Sequence, residues 1–538
     1  MEKRLLLSII LSFAVLYAWA ALNPKKNLQN NNLQTIEDKH LTETTSPPVS
    51  AAEKLEETPP AVDQNEEITI LETEKLKASF SSKGGNLKSI YVKVFGFSHP
   101  LTDYNSILGY ENISFQLEEK TSRTITYSYT TSAFKLSKIY EISKNDYTIT
   151  SSIIFKNISE KSNLVDIKIN TYAVNMSNVS DKETDPDYER DKSLYEYLVH
   201  TAEKTLRKAG AYKFKANESK LESVPVIWTG FRSRYYCSII KPQFDSDNYE
   251  LKTASEDLFN IIIHPKQVSL LPGSQMTFNT VVYTGPENLD LLKSYNMDFE
   301  KVRKYYRFSL FDVAAKLIYS IMHLIHKVLP SWGLAIIFVS MIIYGATYPL
   351  TIKSMLSMKR MQDLAPKINS LKEKYKDNPQ KMNAEMMDLY KKNKINPLGG
   401  CLPMILQMPI FIGLYQVLWR SVEFKGAGFL WIKDLTKPDA LFTFPFNLPL
   451  IGNEFNILPL VMMVIMFFQQ KFSMKNMVST DPSQIAQQKM MANIMPIFLG
   501  VIFYKFASGL TLYFTLFYLF STFTQFKMTQ TKKVVLHD

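Results

Sequence analysis

The polar side chains that stand out in this chain sit inside long apolar runs. Ser340, Tyr344 and Thr347 share one face of the run Trp332–Leu350, and Gln407 and Gln416 fall within Cys401–Trp419. Thr511, Thr515, Tyr518 and Thr522 step through the last run at i, i+4, i+7 and i+11. Hydroxyls and amides of this kind trade hydrogen bonds rather than make or break covalent ones. A polar group left unpartnered in hydrocarbon is costly, so these stripes must meet one another or face water. Interhelical hydrogen bonding would account for them in one way. A hydrated groove lined by Ser340, Tyr344, Gln407, Thr511 and Thr515 accounts for them in another, receiving the polar part of a segment on its way through a bilayer.

Covalent chemistry finds little support elsewhere. The sequence has no paired catalytic carboxylates, no nucleophile elbow and no Gly-rich phosphate loop. Its seven His are scattered without HExxH spacing, and its two cysteines, Cys237 and Cys401, exclude a disulfide framework and any Cys-based zinc motif. The chain is therefore expected to be no enzyme, with no catalytic residue, metal or cofactor. No Asp, Glu, Lys or Arg lies mid-run in the later apolar segments, which speaks against an ion-coupled transporter.

The elements that hold these residues divide the 538-residue chain into unlike halves. A mean hydropathy of -0.10 averages a polar half, up to about residue 300, with an apolar one. Of 23 Met, 18 follow residue 330. Residues 1–22 open with Lys3 and Arg4 before an uncharged run, Leu5–Leu22, which reads as a cleaved signal or a retained anchor. Residues 23–66 are too polar to build a core and read as a tether. From 67 to 300, short alternating segments rich in Ile, Val, Thr, Tyr and Phe predict an antiparallel β-sandwich, with a helical interlude over Asp191–Lys208. That domain could serve for contact; a carbohydrate-handling sandwich on an anchor is the rival reading. Residues 308–329 predict an amphipathic helix lying at the membrane surface.

Residues 330–538 then carry five apolar runs: Trp332–Leu350, Cys401–Trp419, Ile457–Phe468, Met490–Tyr504 and Phe506–Phe526. With the first anchor these make six spans, five of them in the core. Residues 351–400 carry ten Lys and one Arg against five acidic residues, whereas 419–455 balance four against four. By the positive-inside rule, 351–400 and both termini are cytoplasmic and the β domain is exported. Much of the net charge of +11 is then topological rather than a sign of nucleic-acid binding. The runs of 12 and 15 residues at 457–468 and 490–504 are short for a span, which suggests local bilayer thinning or flanking turns that reach the interface.

The stretch 351–400 reads as a helical hairpin turned at Asp377-Asn378-Pro379, with a Met-rich seam. A plain coiled-coil spacer would look similar. As a functional arm it would meet nascent chains or ribosomal RNA through Met355, Met358, Lys359, Arg360, Lys391 and Lys392, since Met accommodates partners of variable sequence.

Several ordered motifs carry a resemblance. Ser331-Trp332-Gly333-Leu334, Tyr348-Pro349-Leu350-Thr351, Asn396-Pro397-Leu398-Gly399-Gly400-Cys401-Leu402-Pro403, Gln407-Met408-Pro409, Trp431-Ile432-Lys433-Asp434-Leu435 and Ser508-Gly509-Leu510-Thr511 resemble the YidC family of membrane-protein insertases. Ser82-Lys83-Gly84-Gly85, Trp228-Thr229-Gly230-Phe231 and Tyr283-Thr284-Gly285-Pro286 resemble its periplasmic β domain. The resemblance covers nearly everything but the tether. It implies a multi-pass protein of the bacterial inner membrane with its first span kept. It also implies work alone or beside the Sec translocon and its accessory subunits, with nascent membrane proteins, the ribosome and membrane lipid as partners. Two positions depart from the pattern: the family's groove arginine is Tyr344 here, and an Asn usual in the last span is Tyr518.

Overall fold

The computed structural model describes residues 66–99, 101–175, 194–209, 218–253, 258–376, 378–393, 402–448, 452–475 and 482–535. The anchor expected at 1–22, the tether at 23–66 save its last residue, and the segment 394–401 lie outside the described residues.

The first half is all antiparallel sheet. Its largest sheet has nine strands, ordered Thr205–Ala209, Glu196–Thr201, Val226–Arg232, Tyr236–Pro242, Gln275–Pro286, Thr148–Asn157, Phe134–Ile142, Thr124–Thr130 and Gln116–Lys120. Strand Phe134–Ile142 shows why it forms: Phe134, Leu136, Lys138, Tyr140 and Ile142 are buried at every second position, with half-exposed or exposed residues between. A six-stranded sheet containing Ile169–Asn175 and Leu258–Pro265 faces it, and a four-stranded sheet opening the domain covers its far end. The layers are pinned by buried bonds. Tyr172 donates to the Gly230 carbonyl at 2.7 Å, and Tyr140 donates to the Gly85 carbonyl at 2.9 Å. Gly85 has φ of +56°, and a Cβ there would come within 3.1 Å of Tyr127, so the Gly84-Gly85 turn requires glycine.

The helical interlude expected over Asp191–Lys208 is instead a β-hairpin, Glu196–Thr201 paired with Thr205–Ala209, while 191–193 fall outside the described residues. A fully buried run, Tyr197 to Thr201, erases the alternation that would have marked a strand.

After Leu289–Ser294 (α1), the described second half is helical apart from an antiparallel strand pair, Phe442–Leu448 with Gly452–Phe455. Helix α2 is Ser309–Val328, α3 Trp332–Asp363, α4 Ala365–Lys374, α5 Pro379–Lys392 and α6 Leu402–Arg420. Helices α7 Leu458–Lys475, α8 Pro482–Phe503 and α9 Ser508–Val535 complete the set. Helix α2 packs on α3 and α6, and α9 packs on α3 and α7. Ala315, Ile318, Val339, Leu414, Leu418, Met462 and Tyr513 belong to the shared core. Gly333 admits the close approach of Phe429, whose ring would lie 2.0 Å from a Cβ.

The span beginning at Trp332 does not end at Leu350: α3 runs through Pro349 to Asp363. Pro349 cannot donate to the Gly345 carbonyl. On either side of it, Thr347 donates to Ile343 and Thr351 donates to Thr347, keeping their own hydroxyls satisfied. The hairpin proper is therefore α4 and α5, with Asn378 capping α5 through its side chain.

The runs expected to be short, 457–468 and 490–504, belong to helices of 18 and 22 residues, about 27 and 33 Å long. Polar residues such as Gln469 and Gln487 extend them beyond what hydropathy counts, while their apolar stretches stay short. Among the described residues, Trp332–Ser357 alone is long and apolar enough to cross a membrane by length and composition; Leu458–Phe472 and Ala492–Phe503 are shorter apolar stretches.

The buried stripe of α2 is Ala315, Ile318, Tyr319 and Met322, whereas Leu310, Leu317 and Val328 of the expected apolar face are more than three-fifths exposed. The helix thus has two apolar faces, one on the bundle and one open.

Candidate functional site

The polar residues expected inside the apolar runs separate into two groups. Tyr344, on α3, sets its hydroxyl 2.7 Å from the Thr524 hydroxyl and donates to the Phe520 carbonyl at 3.2 Å. Gln407, on α6, donates to the Tyr513 hydroxyl at 2.7 Å. Tyr513, Phe520 and Thr524 share one side of α9, since offsets of 7 and 11 residues nearly complete whole helical turns. Ser340 lies one turn before Tyr344 on α3, is 2% exposed, and donates to the Ile336 carbonyl at 2.6 Å.

Thr511 and Thr515 are not brought to that side. They lie roughly half a turn around α9 from Thr524. Both are buried, and they donate to the carbonyls of Ala507 and Thr511 at 3.3 and 2.7 Å. A hydroxyl bonded to its own helix is nearly neutral in cost, yet keeps lone pairs free to accept.

Where α3 and α9 meet, a cavity of about 250 Å³ is lined by Tyr344, Tyr348, Phe520, Phe523, Thr524 and Lys527. Two of these, Thr524 and Lys527, and the Gln407 partner Tyr513 are not among the groove residues expected from sequence. Thr524 lies off the Thr511–Thr522 stripe, and a helix packed on several sides can be polar on more than one. Its weak amphipathicity was the available signal.

The family-like motifs converge at the other end of the bundle. The Ser508 hydroxyl donates to the Asp434 carbonyl, the Gly509 amide donates to Leu435, and the Trp431 indole donates to Asp439 at 3.1 Å. Asp439 also accepts from the Ile457 and Leu458 amides, anchoring the start of α7.

Between the β domain and the bundle lies a buried charged junction. Arg232 is 1% exposed and pairs in bidentate fashion with Glu287, itself 2% exposed. Arg420, at the end of α6, reaches Glu196 at 3.8 Å, and Arg234 donates to the Trp419 carbonyl at 2.8 Å. Arg303 donates to Ser421 and stands 3.6 Å from Glu423, which also accepts from Tyr319. Burial would raise the Glu196 carboxyl, but the guanidiniums of Arg232, Arg420 and Arg207 hold it below its ordinary value.

Of the hairpin residues expected to make contacts, Arg360, Lys391 and Lys392 are exposed and Met355 is half-buried. Met358 and Lys359 lie in α3, and their side chains fall outside what is described. Among the described residues, no group of three His, Cys, Asp or Glu side chains is placed to hold a metal.

A β-rich domain bolted to an apolar helical bundle is the architecture of an integral membrane protein with a large extramembrane domain. Two family models match it piece by piece: one described as the YidC periplasmic domain covers residues 95–318, and one described as the 60Kd inner membrane protein covers 324–534. The class is therefore an inner membrane protein with a periplasmic domain. A membrane protein insertase YidC of Pelobacter propionicus is 30% identical over 96% of this chain and 97% of its own length. One of Endomicrobium trichonymphae is 31% identical over 83% and 82%. The chain belongs to the YidC family of membrane protein insertases. Among solved structures, it is similar to an active YidC insertase with the first transmembrane domain resolved, at 21% identity, 87% and 94% coverage and a TM-score of 0.37.

Proposed function

We propose that this chain inserts membrane proteins into the inner membrane by differential solvation, with no covalent step. In this reading the bundle lies across the bilayer with both termini and the α4–α5 hairpin in the cytoplasm and the β domain in the periplasm. Six spans include the anchor at 1–22. The basic excess of 351–400 supports that orientation. The observation that carries the mechanism is the cavity between α3 and α9, which places hydroxyls and one ammonium group beside membrane-length helix.

Tyr344 lies twelve residues into α3, roughly 18 Å along its axis from Trp332. A polar segment of substrate that reaches this depth exchanges cytoplasmic water for hydroxyl and amide partners instead of hydrocarbon. Uncompensated transfer of one such group costs several kcal/mol, on the order of 2–7, so a few partners change the barrier decisively. Of the expected groove residues Tyr344 lines this cavity; Ser340 and Gln407 continue the polar seam beside it, and Thr511 and Thr515 form a second polar strip on the opposite side of α9. The apolar part of the substrate moves along exposed residues such as Phe338, Met341 and Ile342 into lipid.

The family's groove arginine is replaced by Tyr344, and the cation lining this cavity is Lys527, on α9. Electrostatic attraction for acidic substrate tails therefore comes from a neighbouring helix. The end of α3 and the hairpin receive the nascent chain at the ribosome, through Met355, Met358, Lys359 and Arg360 on α3 and Lys391 and Lys392 on α5, and the bundle works alone or beside the Sec translocon.

Reconstitution into liposomes with a small two-span substrate tests this reading. Protease protection of the translocated loop that rises with insertase content supports it, and protection equal to that of empty liposomes overturns it.

A further inference from the structure

A second cavity, about 620 Å³, opens between the β domain and α2. Its cationic lining is Arg207, Lys301, Arg303, Lys304 and Lys316. Two acids, Glu300 and Asp312, also line it, and Glu196, Asp298 and Glu423 stand behind Arg207, Lys301 and Arg303 at 3.6, 3.0 and 3.6 Å. Asp312 is already engaged: it accepts from the Tyr305 and Tyr306 amides and pairs with Lys316 at 2.9 Å. Arg303 is only 6% exposed; its Nη2 donates to Ser421, its plane lies over the Tyr319 ring, and its Nε and Nη1 make no hydrogen bond, standing 3.9 and 3.6 Å from Glu287 and Glu423. A buried guanidinium with two donors outside any hydrogen bond, beside a roomy space lined by five cationic side chains, is suited to an oxyanion that can take several N–H bonds at once.

The open face of α2 adds the second feature. Leu310, Leu317 and Leu324 recur every seven residues and are each more than three-fifths exposed, while Lys316 and Ser320 on the same helix line the cavity. An apolar strip and a cationic pocket thus adjoin along one helix.

We propose that this junction cavity binds a phosphate-bearing anion, supplied by the headgroup of an anionic phospholipid whose acyl chains lie along the open face of α2. The inference rests on the reading that α2 lies at the periplasmic surface of the membrane. The site would tie the orientation of the β domain to the lipid beneath it, because Arg303 and Lys316 bridge the segment leaving the sandwich and the helix entering the interface.

The test uses the full chain and the variant Lys301→Gln/Lys304→Gln/Lys316→Gln, whose substituted side chains are outside the insertion groove. Native mass spectrometry from nanodiscs of phosphatidylglycerol or phosphatidylcholine reads the lipid retained. Wild type should hold phosphatidylglycerol selectively, and the variant should lose it by up to roughly 100-fold, at about fivefold per lysine near a membrane surface. Inorganic phosphate is titrated into lipid-free detergent in parallel. Phosphate binding without lipid selectivity would support the anion chemistry and assign its source to solution. A nitroxide at position 324 reports where α2 lies. A lipid-embedded nitroxide with equal retention of both lipids and no phosphate binding overturns the site while sparing the interfacial reading. A water-exposed nitroxide overturns that reading and the lipid source together.

Discussion

The Tyr344 hydroxyl sits 2.7 Å from that of Thr524, across the contact between α3 and α9. Both groups are buried, and together with Lys527 they line the cavity beside them. A bond of this kind inside a membrane bundle is worth about 0.6 kcal/mol on average. It closes the seam without locking it, and a substrate hydroxyl or amide can replace either partner at little cost.

Charge at this seam should set substrate preference. Lys527→Gln is expected to slow insertion of substrates with acidic translocated tails several-fold and to leave neutral tails unchanged, with the difference shrinking at high salt. Tyr344→Arg in that background should restore the acidic-tail rate. Equal rates for both tails in all three proteins would show that no cation near Tyr344 takes part.

The buried junction should matter for stability more than for the insertion step. Glu287→Gln leaves Arg232 without its bidentate partner at 1% exposure, and removing one member of such a pair costs about 3–5 kcal/mol. Thermal unfolding of the β domain within the full chain should shift down by many degrees. A shift of a degree or less would mean that the pair is solvated or redundant.

Acid should loosen the β domain through His99. Its ring is buried beside Phe97 and Phe231 and 2.8 Å from the Ser238 hydroxyl, and burial pushes its pKa down to about 3. Below pH 6.5 the unfolded chain takes up a proton that the native ring refuses, so stability falls as pH drops from 6.5 towards 3. The slope is about 1.4 kcal/mol per pH unit in that window. Amide exchange in strand Tyr236–Pro242 should accelerate accordingly, and His99→Gln should flatten the response. A wild-type response as flat as that of His99→Gln would contradict it.

The hairpin should be separable from the bundle. Deleting about 355–395 is expected to abolish insertion while the thermal stability of the remaining helices stays within a few degrees, because α4 and α5 pack chiefly on each other. Undiminished insertion would remove the arm from the mechanism.

Much of the fold is legible in residue pattern, and the failures have local causes. Alternation marks Thr124–Thr130 and Thr148–Asn157 within a residue or two of their ends, because one face is buried and the other wet. It misses Glu196–Thr201, whose position near the charged junction buries both faces. Apolar run length identifies α7 and α8 but truncates them, since a glutamine such as Gln469, whose amide donates to Ser521, counts against a span while finding a partner inside the bundle. At the candidate site, polar residues in hydrocarbon are conspicuous one by one, but their partners are not. Spacing along α9 groups Thr511 with Thr515; it cannot show that Tyr344 approaches the other side of the helix. The Arg232–Glu287 pair joins residues 55 apart in sequence, with no local trace of their meeting.

Site-specific cross-linking during insertion addresses the groove most directly. Photoreactive residues at 344 and 407, on the polar side of the bundle, are compared with 338 and 341, on the exposed apolar side of α3, while a stalled two-span substrate is held partway across. The expected result is capture of the substrate's polar segment from 344 and 407, and of its apolar span from 338 and 341. Capture of every part of the substrate from 338 and 341 alone would contradict a polar path through the bundle.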